Sequence, residues 1–117
     1  MNGYKPGTHL LSSFSASGQK LNDLEGCRAH FDRLIPAQQL QKVGEVYHAF
    51  PNGGFTAVIA LSESHISIHT WPEFGMATFD IFLSNFKRDN AERTRVIFEE
   101  TIQFFEAKVK NRASISR

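Results

Sequence analysis

Residues 61–73 read Leu-Ser-Glu-Ser-His-Ile-Ser-Ile-His-Thr-Trp-Pro-Glu and crowd four hydroxyls, two imidazoles and two carboxylates into thirteen positions. Several chemistries use such groups. His65 and His69 are spaced like two metal ligands, but the helical zinc motif has glutamate after its first histidine. Ile66 stands there, and the local pattern is that of a strand, so no metal is expected. A hydrolase serine would sit in a Gly-x-Ser-x-Gly elbow, and Glu63-Ser64-His65 has no flanking glycine. Gly53-Gly54 precedes a strand rather than a helix and is too short to cradle phosphate. Spacing alone leaves open both a reactive serine at Ser64 and a merely polar sheet face.

The elements that must position these groups follow from periodicity. Thr8–Phe14 alternates and predicts a strand, followed by a turn at 15–18. Leu21, Leu24, Phe31, Leu34 and Ile35 recur at helical spacing, predicting a helix from about Lys20 to Ile35 that ends near Pro36. Gly26 inside it costs roughly 1 kcal/mol relative to alanine. Residues 39–50 read as a strand, since Gly44 weakens a helix there. Pro51-Asn52-Gly53-Gly54 is a hairpin turn. Phe55–Leu61 is apolar at nearly every position, predicting a central strand covered on both faces. From Ser62 to Trp71, Ile66 and Ile68 fall on one side, and His65, Ser67 and His69 on the other. A turn at 72–75, a strand from Met76 to Phe82 and a charged loop at 86–90 come next. Ile97, Phe98, Thr101, Ile102, Phe105 and Val109 make the stripe of a last helix, with Asp89 or Asn90 as its cap. Residues 112–117 read as a frayed tail.

The order β-α-β-β-β-β-α predicts an α+β fold. Its expected form is a two-layer sandwich, an antiparallel or mixed sheet with both helices on one face. The bare sheet face then calls for a partner subunit. The 117 residues, formal net charge +1, suit one domain with no basic surplus for nucleic acid or an anionic membrane. No apolar run approaches the ~18 residues of a spanning helix, and residues 1–7 lack an apolar signal core, so a cytoplasmic protein is expected. The lone cysteine, Cys27, reads as a small buried hydrophobe. Abundant phenylalanine reads as core packing, with rings to spare for a planar ligand.

The stretch Ser62–Glu73 resembles the processing motif of the small prokaryotic S-adenosylmethionine decarboxylases. Weaker similarity includes Gly7-Thr8-His9-Leu10, Leu21-Asn22-Asp23, His48-Ala49-Phe50, Gly54 and Asp80-Ile81-Phe82. The resemblance implies an inactive precursor. The hydroxyl of Ser64 attacks the carbonyl of Glu63, the peptide becomes an ester, and elimination then leaves a pyruvoyl group derived from Ser64. The products would be residues 1–63 and 64–117. His69 matches the processing histidine, and Thr56 matches a serine hydroxyl of the family. On a regular strand Ser64 and His69 face opposite sides, so Ser64 is expected in a bend before the strand.

The implied pyruvoyl cofactor forms a Schiff base with the substrate amine and accepts the electrons released with carbon dioxide. The implied pathway is polyamine (spermidine) biosynthesis. Phe50 matches a ring that stacks on adenine, and Glu73 a carboxylate that binds ribose hydroxyls. The implied assembly is a homodimer of cleaved protomers, with active sites at the interface and these binding groups arriving from the neighbour. One departure stands out. The family reads Asp-x-Phe-Thr-Cys-Gly where this chain has Asp80-Ile81-Phe82-Leu83-Ser84-Asn85, so Ser84 replaces the cysteine that donates a proton after decarboxylation. An alcohol is a poorer acid than a thiol. Alternative readings are a pyruvoyl decarboxylase of ornithine or arginine, for which Glu45 or Asp80 could supply the extra carboxylate, and a non-catalytic homologue.

Overall fold

A computed structural model describes residues 3–117. Eight-residue strand β1 (Thr8–Ser15) leads into two helices, α1 (Gly18–Leu21) and α2 (Leu24–Ala37). Three strands follow, β2 (Lys42–Ala49), β3 (Phe55–Leu61) and β4 (Ser64–Trp71). A 3-10 turn (Pro72–Phe74), β5 (Met76–Leu83), α3 (Ala91–Phe105) and β6 (Lys108–Ser116) complete the chain. The sheet has six strands in the order β2-β3-β4-β5-β1-β6, antiparallel at every boundary. Helices cover one face, giving the expected α+β two-layer sandwich.

The core lies between helices and sheet. Ile66 and Ile68 of β4 point into it, as their alternation predicts, beside Ala57 and Ile59 of β3 and Phe79 and Ile81 of β5. Phe14, Phe31, Phe55, Phe79, Phe98 and Phe105 are fully buried. Phenylalanine is thus chiefly packing material here, worth roughly 1.5–3 kcal/mol per buried ring. Phe50, Phe74 and Phe86 remain exposed.

Four expectations are corrected. The first helix is two helices. Asp23 ends the continuous pattern by capping α2, its Oδ1 accepting from the Gly26 N–H at 2.9 Å. A Cβ on Gly26 would lie 2.1 Å from the Asp23 carboxylate, so this glycine makes room for the cap rather than weakening a helix middle. The helix also runs one residue past Pro36, because proline near a helix C-terminus forfeits a single N–H bond.

Second, β3 is not covered on both faces. Thr56, Val58 and Ala60 point away from the helices, and Val58 is 41% exposed. Third, Val109 is not in the last helix, which closes at Phe105 with Glu106 in the left-handed region (φ 50°). Fourth, residues 112–117 are not a frayed tail. Lys108–Ser116 pairs with the whole length of β1, and Ser12 Oγ donates to the Asn111 carbonyl at 2.9 Å. Every residue of β6 is exposed, so backbone pairing rather than apolar burial makes it a strand.

Candidate active site

Ser64 pairs with Leu61, so Ser62 and Glu63 alone link β3 to β4. The turn is sharp enough to push Ser64 to φ 133°, a region that non-glycine residues rarely occupy. Such backbone costs on the order of 1–3 kcal/mol and persists only where the surroundings hold it. Ser64 is thus not in a bend before the strand, as expected, but is the first paired residue of β4, opposite Leu61 and Leu83, directly after the two-residue turn.

The loop after β5 holds Glu63 at both ends. Extending the β4–β5 ladder by one step, the Ser84 N–H donates to the Glu63 carbonyl oxygen at 2.9 Å. Arg88 donates to the Glu63 carboxylate through Nε (3.2 Å) and Nη2 (2.8 Å). Asn90 Nδ2 donates to Glu63 Oε1 at 2.8 Å and to the Ser84 carbonyl at 2.8 Å. The Arg88 bonds come first in holding the Glu63 carboxyl below the ordinary glutamate range. Arg88 also donates to the Gln39 carbonyl (2.6 Å), and Asn85 Oδ1 accepts from the Asn90 N–H (2.7 Å). A cavity of about 320 Å³, lined by Ser62, Glu63, Ser84, Phe86, Lys87 and Arg88, opens beside the turn. Asn90 is the N-cap residue of α3 but makes no side-chain cap bond; the neighbouring Asp89 Oδ1 accepts from the Ala91 N–H at 2.9 Å.

Thr56 and His69 are opposite each other across β3 and β4, with Thr56 Oγ1 3.0 Å from His69 Nδ1. Beyond them lies a second cavity of about 410 Å³, lined by Phe50, Pro51, Asn52, Thr70, Trp71 and Glu73. Phe50 is 44% exposed, with its ring edge-on to His48 at 4.8 Å between centroids. Glu73 Oε2 accepts from Asn52 Nδ2 at 3.0 Å. Gly54 lets the β2–β3 turn approach the end of β4, since a Cβ there would lie 2.8 Å from the Thr70 carbonyl oxygen.

The two groups sit at opposite ends of one hairpin. Five residues of strand at about 3.3 Å each put roughly 16 Å between Ser64 and His69. One chain thus brings Glu63, Ser64 and Ser84 together, and separately brings Thr56, His69, Phe50 and Glu73 to the far end. It does not bring His69 to Ser64.

The sequence profile of the S-adenosylmethionine decarboxylase family matches residues 8–117. The chain belongs to that family. The S-adenosylmethionine decarboxylase proenzyme of Aquifex aeolicus is 38% identical over 77 residues, which is 65% of this chain and 57% of that protein. The Archaeoglobus fulgidus proenzyme is 35% identical over 77 residues, 65% of this chain and 69% of that protein. The match to the Aquifex relative thus spans little more than half of that protein's length. The crystal structure of the adenosylmethionine decarboxylase from Aquifex aeolicus superposes with a TM-score of 0.80 at 26% identity, covering 98% of this chain and 91% of that one.

Ser84, at the position where the resemblance implies a cysteine, lies beside Glu63. Cys27 is buried on α2 and its thiol is pushed up to about 12, by burial first and then by Asp23. Glu45 is also remote from the turn's chemistry, since it faces the helix layer and pairs with Lys42 (2.9 Å) and Arg28 (3.7 Å).

Sequence reasoning did not find the cluster of His9, His65 and Asp80, drawn from three neighbouring strands. Asp80 Oδ1 lies 3.1 Å from His9 Nε2 and 3.4 Å from His65 Nε2, and Ser67 Oγ donates to Asp80 Oδ2 at 2.7 Å. Arg117 Nη1 approaches His9 Nδ1 at 3.2 Å. A guanidinium only donates, so Nδ1 accepts and Nε2 carries the proton aimed at Asp80. Both His9 nitrogens are thereby spoken for, and a metal ion would have to displace these bonds. No helix among the described residues is long and apolar enough to cross a membrane.

Proposed function

We propose that this chain is a self-processing S-adenosylmethionine decarboxylase precursor that works as a pair of copies. The observation that carries the reading is the state of the Glu63–Ser64 bond. Its carbonyl accepts from the Ser84 N–H at 2.9 Å, and its serine is held at φ 133°. Hydrogen bonding at the oxygen draws charge from a poor electrophile and is ready for the oxyanion that attack creates. Backbone strain at Ser64 raises the starting state.

The chemistry then follows for the chain's own atoms. Ser64 Oγ adds to the Glu63 carbonyl carbon as its proton leaves to a base. The C–N bond breaks, the Ser64 nitrogen becomes an amine, and Glu63 is joined to Oγ as an ester. Loss of the Ser64 α-proton expels the Glu63 carboxylate and leaves dehydroalanine, whose imine form takes up water and releases ammonia. The products are residues 1–63 and residues 64–117, the latter headed by pyruvoyl. The pyruvoyl group supplies a ketone for the substrate amine and a sink for the electrons freed with carbon dioxide.

The base must come from elsewhere, because His69 of the same chain is about 16 Å away along the strand. A second copy, packed on the bare sheet face, supplies its His69 and Thr56 to this Ser64. The exposed cross-strand pair Val46 and Val58 gives that packing apolar surface. In such a homodimer the nucleoside cavity travels with His69. Phe50 offers an aromatic face to adenine, and Glu73 accepts from ribose hydroxyls. The resulting reading is an S-adenosylmethionine substrate and a decarboxylated product for polyamine synthesis. Glu45 faces the helix layer, and Asp80 is engaged by His9, His65 and Ser67. Neither carboxylate is free to favour ornithine or arginine.

Intact-mass spectrometry tests the first step. The expected result is loss of the full-length mass and appearance of fragments ending at Glu63 and beginning at residue 64. A full-length mass that survives long incubation overturns it. Release of labelled carbon dioxide from S-adenosylmethionine tests the second step, with ornithine and arginine as controls.

A further inference from the structure

Arg88 and Asn90 have no counterpart in the reaction just described. Yet they spend their best hydrogen bonds on the residue that precedes the reactive serine. Three N–H groups converge on the Glu63 carboxylate, at 3.2, 2.8 and 2.8 Å. That carboxylate belongs to a turn residue, and turn glutamates are ordinarily solvated. Here its side chain is only 16% exposed. The same Asn90 amide also holds the Ser84 carbonyl. One side chain therefore links the two residues whose backbones meet at the scissile carbonyl.

We infer that Arg88 and Asn90 are positioning residues for self-cleavage, locking Glu63 so that its carbonyl stays on the Ser84 N–H while Ser64 attacks. The inference rests on the processing reading above. A two-residue turn has few ways to resist rotation of the Glu63–Ser64 peptide, and that rotation would carry the Glu63 carbonyl off the Ser84 donor. Fixing the side chain at a second point removes that freedom. A forked guanidinium on a carboxylate sets direction as well as distance. The clamp also suits the products. Elimination deposits a new carboxylate on Glu63, next to a cavity lined by Lys87 and Arg88, so cationic groups already face the second negative charge.

The test is the rate of cleavage of the full-length chain, followed by intact mass, with thermal stability measured in parallel. Arg88→Ala is expected to slow cleavage by roughly 10–100-fold, the scale set by small misplacements of reacting groups. Arg88→Lys should recover part of the loss, and free guanidinium should speed the Arg88→Ala chain. Glu63→Gln should slow cleavage alone, and the double variant should be no slower than the slower single one. Asn90 is buried and its variants risk misfolding, so the deciding variants are those at Arg88 and Glu63. Arg88→Ala or Glu63→Gln cleaving at the wild-type rate overturns the assignment. So do additive losses that track thermal stability without rescue. A wild-type chain that never cleaves overturns the processing reading itself.

Discussion

The Ser84 N–H donates to the Glu63 carbonyl oxygen at 2.9 Å, which separates two contributions of one residue. On the proposed function, the backbone of Ser84 would bear on the cleavage step and its side chain on what the finished site can do. Any residue but proline supplies the N–H. Ser84→Ala and Ser84→Cys should therefore leave cleavage intact, while Ser84→Pro should slow it by roughly 10²-fold. Ser84→Cys should raise turnover of S-adenosylmethionine, because a thiol is the better proton donor. Mass spectra and carbon dioxide release, measured on the same preparations, check both halves. An unchanged Ser84→Pro rate would falsify the oxyanion role.

Complementation checks the two-copy site. Ser64→Ala and His69→Ala chains should each remain whole when made alone. Made together, they form mixed dimers in which one site has both Ser64 and His69 from different chains. Cleavage of the His69→Ala chain should then appear, and the Ser64→Ala chain should stay intact. Tagging one chain makes the two masses distinct. If the His69→Ala chain processes alone at full rate, or stays whole in the mixture, the composite site is wrong.

Acid stability should reflect His30. This imidazole is buried between α2 and α3, 3.0 Å from Thr101 Oγ1 and stacked on Phe104. Burial first, then Arg33, lowers it from 6.5 to about 4. The folded state thus binds this proton less readily than the unfolded chain. Its contribution is fully present above pH 6.5 and erodes as pH falls toward about 4. The loss is on the order of 3 kcal/mol across that window. Thermal unfolding from pH 8 to 4 should show it, and His30→Gln should flatten the decline. A wild-type curve with no loss in that range contradicts the buried neutral histidine.

Much of the sheet was legible because burial writes a period into the sequence. Ile66 and Ile68 alternate with His65, Ser67 and His69, and the structure faces them as that pattern demands. β6 left no such trace, since all of its positions are exposed. Its partner is β1, about a hundred residues away, and sequence periodicity does not record backbone pairing. The α1–α2 break was written in Asp23 and Gly26, but as a cap, which a search for apolar spacing overlooks. At the candidate site, motif resemblance pointed to Glu63, Ser64 and His69. It did not supply Arg88 and Asn90, which reach Glu63 from 25 and 27 residues away out of an irregular loop. Nor did it show that His69 stands at the wrong end of its own hairpin, a fact of strand length that only the folded register makes plain.

The strand order has a mechanical consequence for a chain cut after Glu63. β1 comes from the first fragment, yet it lies between β5 and β6, which both come from the second. β3 and β4, severed at their turn, still share a full antiparallel boundary. Parting the fragments would mean unzipping three strand boundaries and opening the common core at once. The cut product is in effect a woven pair that dissociates only by unfolding. Once denatured, it must find its partner by diffusion, so its recovery should depend on concentration where that of the uncut chain does not.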